Sequence, residues 1–384
     1  MLFSIRRAVH LANPQSITPE YLFWDPSGFF HIANLLASGE PRLIDDARRI
    51  LDTVAAAQRP SGMLPHHFNG AEPTFVAISG ATLPATNLFW LKAALRFVAE
   101  TGDVAWLHRR LDVLSRAGRF LLAMIPSDSK EPRLLRTSGS LMIDVFKRGN
   151  FTSDANALAV DVFGQLAAMH RFVGNETEAA RYTAAAAGVT EALNRLLWRQ
   201  DHFVTQINPD GSTRDFVDYD SNLLATAFVP MTAERAAAVL RRVDSGECTH
   251  AAPGTYISEK LYGHDDVYNC DADKPEIFCV GDSRVSYGRV AWLDALSRKR
   301  VGDYASFESL VVAPIRTEVF DLVWTHERYD CRGTPVHAPM YYEYPVRRLP
   351  DCITACQSCD GCACELRRSL RRSRAIFGSG WSSG

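Results

Sequence analysis

The chain lacks any long hydrophobic run. No stretch of about 18 consecutive apolar residues occurs in it, and a membrane-spanning helix needs that length, so no membrane span is predicted. A large excess of one charge is also missing. The formal net charge is −2, which gives no reason to expect nucleic acid or an anionic membrane as a partner. With 47% hydrophobic and 22% charged residues, the composition is typical of a globular chain with a substantial core.

Several well-known catalytic signatures are absent as well. The sequence has no nucleophile elbow, P-loop, dinucleotide-binding fingerprint or HExxH zinc motif, so we expect no cofactor. Five of the nine cysteines crowd into "CITACQSCDGCAC", residues 352–364. No second CxxC pair or histidine pair accompanies them at a zinc-site interval. A metal site and an irregular tail therefore remain alternatives for this segment, and no metal ligand is assigned.

The first residues, "MLFSIRRAVHLANPQS", contain two arginines and no acidic residue. Their apolar stretch is too interrupted for a secretory signal. We expect an ordinary first helix and a cytoplasmic location. A mitochondrial-type presequence is the alternative.

Helical patterns dominate the chain, and the breaks between them look alike. Gly39, Gly102, Gly174 and Gly302 each stand where one helical pattern ends, and a polar or acidic residue follows to begin the next. Glycine accepts the left-handed conformation of a helix C-cap, and Asp, Asn or Glu suits the following N-terminus. A fifth break near Thr232 uses proline and threonine instead. The breaks predict helical hairpins that repeat at about 65 residues.

Six such hairpins fit the length, which predicts an all-α fold, an (α/α)6 barrel over residues 1–345. An open helical solenoid is the alternative, although its repeats are usually shorter. The cysteine-rich, basic segment 346–384 either completes the last hairpin or is irregular. The connectors between hairpins are long, at roughly 58–84, 123–152, 199–219, 244–285 and 318–345. In a ring of hairpins they would emerge at one end, so their polar and aromatic residues should converge on one mouth.

These connectors supply the candidate site residues. Asp144 follows the apolar run Leu141–Ile143, a setting that could raise a carboxyl pKa and suit a general acid, and Arg148 follows four residues later. Glu327 and Glu343 lie among aromatic residues in "WTHERYDCRGTPVHAPMYYEYP". Aromatic rings stack on sugar faces, while carboxylates bind hydroxyl groups or activate water.

Other polar residues near helix starts have two interpretations. For Asp25 and Asp282 these are helix capping and substrate contact, and Asn222 could contact a sugar hydroxyl. Asp154 is expected to cap a helix, as is at least one of three aspartates: Asp215, Asp218 and Asp220.

Together the motifs resemble the six-hairpin glycosidases, and among them most clearly the trehalases. Trehalases carry Y-W-D-S-Y-F, and this chain has "YLFWDPSGFF"; they carry E-K-Y-D and then E-Y-P, and this chain has "ERYD" and "EYP". Their acid motif is W-D-F-S-S-R-W, of which "IDVFKRG" keeps the Asp and the Arg. The G-F-G-W-T-N-G-V segment that follows in the family is replaced by "VRRLPDCITACQSC".

The resemblance implies an inverting glycoside hydrolase acting on a small carbohydrate. It implies Asp144 as general acid and Glu327 as general base. The residues implied or expected around the sugar are Trp24, Asp25, Arg148, Asn222, Asp282, Trp324, Tyr329 and Glu343. Two alternatives stay open. One is another α/α-barrel sugar enzyme, an epimerase or uronyl lyase using His66 and His67, and the other is a non-catalytic sugar-binding relic.

Overall fold

A computed structural model describes residues 25–69, 72–76, 84–128, 132–143, 146–246, 255–260, 262–268, 270–271, 274–275, 286–314 and 328–329. Within these residues the fold is all-α and consists of five helix pairs. The helices are α1 (Asp25–Ala37), α2 (Pro41–Ala56), α3 (Ala85–Thr101), α4 (Val104–Ala123), α5 (Ser153–Phe172), α6 (Glu176–Ala192), α7 (Tyr219–Phe228), α8 (Ala233–Ser245), α9 (Gly288–Val301) and α10 (Tyr304–Pro314). No helix in these ranges is long and apolar enough to cross a membrane.

The turn within each pair has the local chemistry that the sequence predicts. Gly39, Gly102, Gly174 and Gly302 adopt φ values of 62°, 70°, 77° and 84°, the left-handed region that glycine enters without a steric penalty. The polar residues that follow two of them cap the next helix. Asp103 accepts a hydrogen bond from the Trp106 N–H, and Asn175 accepts one from the Glu178 N–H. At the fifth break Thr232 accepts one from the Arg235 N–H. The predicted hairpin breaks are confirmed.

The odd-numbered helices form an inner layer and the even-numbered ones an outer layer. Helices α3, α5, α7 and α9 are buried on nearly every face, whereas α2 buries one stripe that includes Leu43, Ala47 and Leu51. Each inner helix packs against its own outer partner and against the next inner helix. The hairpins therefore stand side by side, with their inner helices in sequence order.

The first and fifth inner helices also meet. Trp292 of α9 lies with its ring centre 5.6 Å from that of Phe29 and 5.0 Å from that of Phe30, both in α1 and both edge-on. The inner helices therefore form an arc whose first and last described members touch through these three rings. The sixth predicted hairpin and the segment 346–384 lie outside the described residues.

Short strands lie in the connectors between one pair and the next. They are β1 (His67–Asn69), β2 (Glu72–Thr74), β3 (Phe151–Thr152), β4 (Gln206–Ile207), β5 (Thr213–Arg214), β6 (Thr255–Tyr256), β7 (Cys270–Asp271), β8 (Lys274–Pro275), β9 (Ser286–Tyr287) and β10 (Arg328–Tyr329). All described pairings are antiparallel: β1 with β2, β7 with β8, β3–β4–β5 in that order, and β9 between β6 and β10. Since each connector runs from an outer helix to the start of an inner helix, the strands gather at one end of the arc.

A buried asparagine near the start of three inner helices fastens the preceding connector. Asn156 of α5 accepts from the Leu135 N–H at 2.7 Å and donates to the Leu135 carbonyl at 3.2 Å. Asn222 of α7 does the same to Phe203, at 2.7 and 3.0 Å. Asn87 of α3 accepts from Leu64 and donates to the carbonyl of Gly62. We call these three residues the asparagine clamps. They fix the connector end of the arc, where the candidate site lies.

Candidate functional site

The structure describes only part of the predicted site. Trp24, Asp144, Asp282, Trp324, Glu327 and Glu343 lie outside the described residues. Asp25 is the first residue of α1 and Tyr329 lies in β10, but their side chains are not described. Arg148 and Asn222 are described in full. The site is therefore built from these two residues and from the immediate sequence neighbours of the others.

The residues on both sides of Asp144 are anchored. The Leu141 N–H donates to Asp154 Oδ2 at 2.8 Å, and Arg289 Nη1 donates to the Met142 carbonyl at 2.8 Å. On the other side Phe146 forms an antiparallel bridge with Val267. The described residues on either side of Asp144 are thus held by the first turns of α5 and α9 and by a neighbouring connector.

The residue that follows Glu327 is tied to the same place. Arg328 in β10 pairs with Tyr287 in β9, and α9 begins at the next residue, Gly288. Arg289, in the first turn of α9, reaches back to Met142, two residues before Asp144. Arg328 and Met142, sequence neighbours of the two predicted catalytic carboxylates, therefore each contact a residue at the N-terminal end of α9.

Beside this place lies a buried ionic cluster around Arg148. The guanidinium donates to both carboxylate oxygens of Asp220, at 2.9 and 3.1 Å, and to Asp154 at 2.9 Å. It also lies 3.2 Å from Asp218 and donates to the Tyr262 hydroxyl at 3.0 Å, which in turn donates to Asp218. All five side chains are buried. We call this set the Arg148 cluster.

The cluster contains one guanidinium and three carboxylates, so its charges do not balance if every acid is ionised. The pKa of Asp220 is raised to about 7; burial is the main cause, the charges of Asp218 and Asp154 add to it, and Arg148 opposes it. Burial also raises the pKa of Asp218. Although burial lowers the pKa of Arg148, the charges of Asp218 and Asp220 raise it well above its ordinary value. The cluster therefore favours retention of a proton near neutral pH.

Across the part of the chain that the structure describes, no group of three or more His, Cys, Asp or Glu side chains is placed to hold a metal. In the Arg148 cluster the guanidinium supplies the positive charge. Five N–H donors in a fixed plane suit it to several carboxylates at once.

Backbone strain is concentrated next to the cluster. Among the described non-glycine residues, Asn150 (φ 58°) and Val217 (φ 50°) are the two with positive φ. Asn150 lies two residues after Arg148, and Val217 directly precedes Asp218. A β-branched residue in this region is strained, and such strain persists mainly where the surroundings enforce it, often at functional sites.

The structure revises the capping interpretation of the aspartates. Asp154 lies inside α5, whose N-cap is Thr152, and its carboxylate binds Leu141 and Arg148 instead. The expectation that Asp154 caps α5 is wrong, because Arg148 and the Leu141 N–H bind its carboxylate. Of the three aspartates in 215–220, Asp218 takes the expected N-cap position, that of α7, but not the capping hydrogen bond.

Arg148 and Asn222 have protein partners throughout. The side chain of Arg148 is 1% exposed, and the amide of Asn222 is bonded to the backbone of Phe203 and Asp218. Sequence reasoning missed Tyr262 in the cluster, since nothing around it in the sequence indicates a polar partner. The crowding of three aspartates in 215–220 was the available signal for the rest.

His202 forms a bridge between Asp201 and Asp215, which lies two residues before Val217. His202 Nδ1 is 2.6 Å from Asp201 Oδ1, and His202 Nε2 is 2.8 Å from Asp215 Oδ2. The hydrogen bond with Asp215 raises the pKa of His202, as does the one with Asp201, although burial opposes them. The imidazolium form can donate to both carboxylates at once. This bridge joins the turn after α6 to the connector that leads to Asp218.

Comparison with known proteins supports the fold only. No protein-family model matches the chain, and no curated protein sequence matches it. Among solved structures it is similar to a GH78 family rhamnosidase of Bacillus sp. GL1, with a TM-score of 0.56 and 17% identity. The match covers 84% of this chain and 30% of the rhamnosidase chain. At this identity the likeness shows a glycosidase-like helical fold, and this chain corresponds to less than a third of the rhamnosidase.

Proposed function

We propose that the protein is an inverting glycoside hydrolase that removes a terminal sugar from a disaccharide or oligosaccharide. The observation that carries the proposal is that two chain segments each contact the N-terminal end of α9. One is Leu141–Ile143, directly before Asp144, and the other is Arg328, directly after Glu327. The glycosidase-like fold and the ERYD and EYP motifs support the same assignment.

In the proposed reaction, Asp144 is protonated and gives its proton to the glycosidic oxygen as the C1–O bond breaks. Glu327 is ionised and takes a proton from a water molecule, whose oxygen bonds to C1 from the opposite face. The products are the released terminal sugar, with inverted configuration at C1, and the remainder of the substrate. Inversion requires the two carboxyl groups to lie about 6.5–9.5 Å apart, which leaves room for the water.

The described neighbours suit this chemistry through rigidity. The contacts of Leu141 with Asp154 and of Met142 with Arg289 hold the residues before Asp144 against α5 and α9. A catalytic group works best when its supporting residues are held rigidly. The trehalase-like motifs make trehalose the first substrate to test. Asp25, Asp282 and Glu343, together with Trp24, Trp324 and Tyr329, are proposed to surround the sugar. For Arg148 and Asn222 we propose an indirect role, holding the connectors.

The test is a hydrolysis screen over trehalose, other disaccharides and aryl glycosides, with NMR detection of the first-formed anomer. We expect Asp144→Asn and Glu327→Gln each to reduce hydrolysis by about two to four orders of magnitude while the protein stays folded. Asp112→Asn on α4 and Glu308→Gln on α10 are matched surface controls, since both carboxylates are exposed. A first product with retained configuration, or near-wild-type activity in either folded active-site variant, would reject the proposal.

A second candidate keeps support from one contact. His66 Nδ1 and His67 Nδ1 lie 2.9 Å apart, so one ring nitrogen donates to the other. Such a pair could transfer protons in a sugar epimerase or uronyl lyase. Product analysis separates the three classes of enzyme. Hydrolysis consumes water and releases a reducing sugar, and a lyase leaves an unsaturated sugar. An epimerase inverts one stereocentre and leaves the molecular formula of the sugar unchanged. Sugar binding without any turnover would instead indicate a non-catalytic relic.

A further inference from the structure

A groove of about 500 Å³ lies on the outer wall of the arc, between the C-terminal half of α4 and the middle of α6. The connector that leaves α4 closes it on one side, through Ile125 and Arg133. Nothing in the Arg148 cluster or near α9 lines it. It is therefore separate from the candidate active site and does not depend on the proposed hydrolase activity.

Three arginines line this groove: Arg119, Arg133 and Arg181. Glu178 faces two of them. It forms an ion pair with Arg181 at 2.9 Å, but its other oxygen lies 3.9 Å from Arg119, beyond hydrogen-bond length. Arg133 forms neither an ion pair nor a hydrogen bond with any described residue. Among these four side chains, two positive charges are left without a counter-charge.

Small residues of α6 leave room for the exposed side chain of Arg133. A Cβ atom at Gly188 of α6 would lie 3.4 Å from the Cζ atom of Arg133 and 3.5 Å from its Nε. The guanidinium therefore lies almost against the backbone of α6, and Ala184 and Ala185 line the groove one turn earlier. A larger side chain at these positions would fill the space.

We propose that this groove binds the phosphate group of a small phosphorylated molecule, such as a sugar phosphate. Guanidinium groups bind phosphate through paired, charge-assisted hydrogen bonds. Three guanidiniums match three terminal phosphate oxygens better than the two oxygens of a carboxylate. The charge of a phosphate monoester, between −1.5 and −2 near neutral pH, offsets the two unbalanced positive charges. The volume lies within the range of small-molecule sites, so it also admits the organic part of the ligand.

The experiment is isothermal titration calorimetry of the full chain with inorganic phosphate, glucose 6-phosphate, sodium sulfate and glucose, all at one ionic strength. Glucose 6-phosphate is expected to bind more tightly than inorganic phosphate, and both more tightly than sulfate. Arg133→Gln and Arg181→Gln are each expected to weaken glucose 6-phosphate binding about tenfold or more. Arg109→Gln is the matched control, because Arg109 is exposed on the same helix as Arg119 but near its other end, and its affinity should change less than twofold.

One arm separates this groove from the proposed active site, which could also admit a hexose. Glucose 6-phosphate binding should persist unchanged when glucose is present in excess, because glucose competes for a hexose site but not for the arginines. Circular dichroism and the melting temperature should match wild type for each arginine variant. Absence of binding by glucose 6-phosphate at 10 mM ligand, equal binding of sulfate, or equal affinity in Arg133→Gln and Arg109→Gln would overturn the proposal.

Discussion

Arg148 holds both carboxylate oxygens of Asp220, which follows it by 72 residues, through hydrogen bonds of 2.9 and 3.1 Å. The pair joins the connector before α5 to the first turn of α7. Asp154 and Asp218 face the same guanidinium, so removal of the arginine would leave three buried carboxylates without their cation.

We expect Arg148→Met to lower the free energy of unfolding by about 3–5 kcal/mol, because it leaves buried charges unpaired. Asp220→Asn should be much milder, since it removes the excess negative charge and keeps the shape. Urea unfolding of both variants at pH 7 measures the difference. Equal destabilisation by the two substitutions would contradict the charge imbalance described for the cluster.

The same aspartate should make stability depend on pH. Its folded-state pKa is raised to about 7 from an ordinary value of 3.8, so the folded state binds this proton more tightly than the unfolded state. The contribution is present below about pH 4 and is lost as the pH rises to about 7. The free energy of unfolding of Asp220→Asn, relative to wild type, should therefore rise between pH 5 and pH 8. A constant difference across this range would reject the assignment.

The His202 bridge should respond in a higher pH window. The raised pKa of His202 means that its protonated form stabilises the fold below its ordinary value of 6.5, and that this contribution is lost as the pH rises through the folded-state pKa. His202→Gln should therefore destabilise the protein more at pH 6 than at pH 9. His108→Gln on α4, where the ring is exposed, is the control and should show no such difference. NMR titration of the imidazole should give a midpoint above 6.5.

Gly62 and Gly102 form a matched pair for backbone constraint. Both have positive φ, but a Cβ at Gly62 would lie 2.1 Å from the carbonyl oxygen of Arg116, whereas a Cβ at Gly102 would meet nothing within 4 Å. Gly102→Ala should cost about 1–2 kcal/mol from conformation alone. Gly62→Ala should cost at least about 4 kcal/mol, because the backbone must also move. Thermal unfolding of the two variants checks this, and similar melting temperatures would exclude the close contact.

The asparagine clamps can be tested at Asn156. Asn156→Ala leaves the Leu135 N–H and the carbonyls of Leu135 and Thr152 without this partner in a buried position, and we expect a loss of about 2–4 kcal/mol. Asn175→Ala removes an exposed cap and should cost about 1 kcal/mol. Hydrogen exchange of the Leu135 amide should rise in the first variant and stay unchanged in the second. Unchanged protection of the Leu135 amide in Asn156→Ala would show that Asn156 does not hold this connector.

The helix breaks could be predicted from sequence because their causes are local. A glycine such as Gly102 or Gly174, which can adopt positive φ, and a polar residue after it are enough to end one helix and begin another. Both residue types are visible in the sequence. The Arg148 cluster could not be found in this way. Asp220 lies 72 residues after Arg148, and Tyr262 lies 114 residues after Arg148. No short-range sequence pattern indicates which carboxylates will face one buried guanidinium.

Asn222 shows a second limit. A polar residue in the first turn of a helix at the mouth of a barrel could contact a ligand or hold a neighbouring loop. The deciding partner, Phe203, lies 19 residues earlier. The three clamps, Asn87, Asn156 and Asn222, share one geometry, but a single asparagine in one repeat gives no sign of it until the repeats are aligned in space.

The clamps also set how this chain can diversify. Each one ties its inner helix to a backbone position 19 to 23 residues earlier, so both ends of the intervening loop are fixed independently of what lies between them. The entropic cost of closing the loop then changes little with the length of the inserted sequence. In the connector between Phe203 and Asn222, the exposed turn between β4 and β5 can therefore change in length while the helices on either side stay in register. Asp215, Asp218 and Asp220 must stay, because they bind His202 and Arg148.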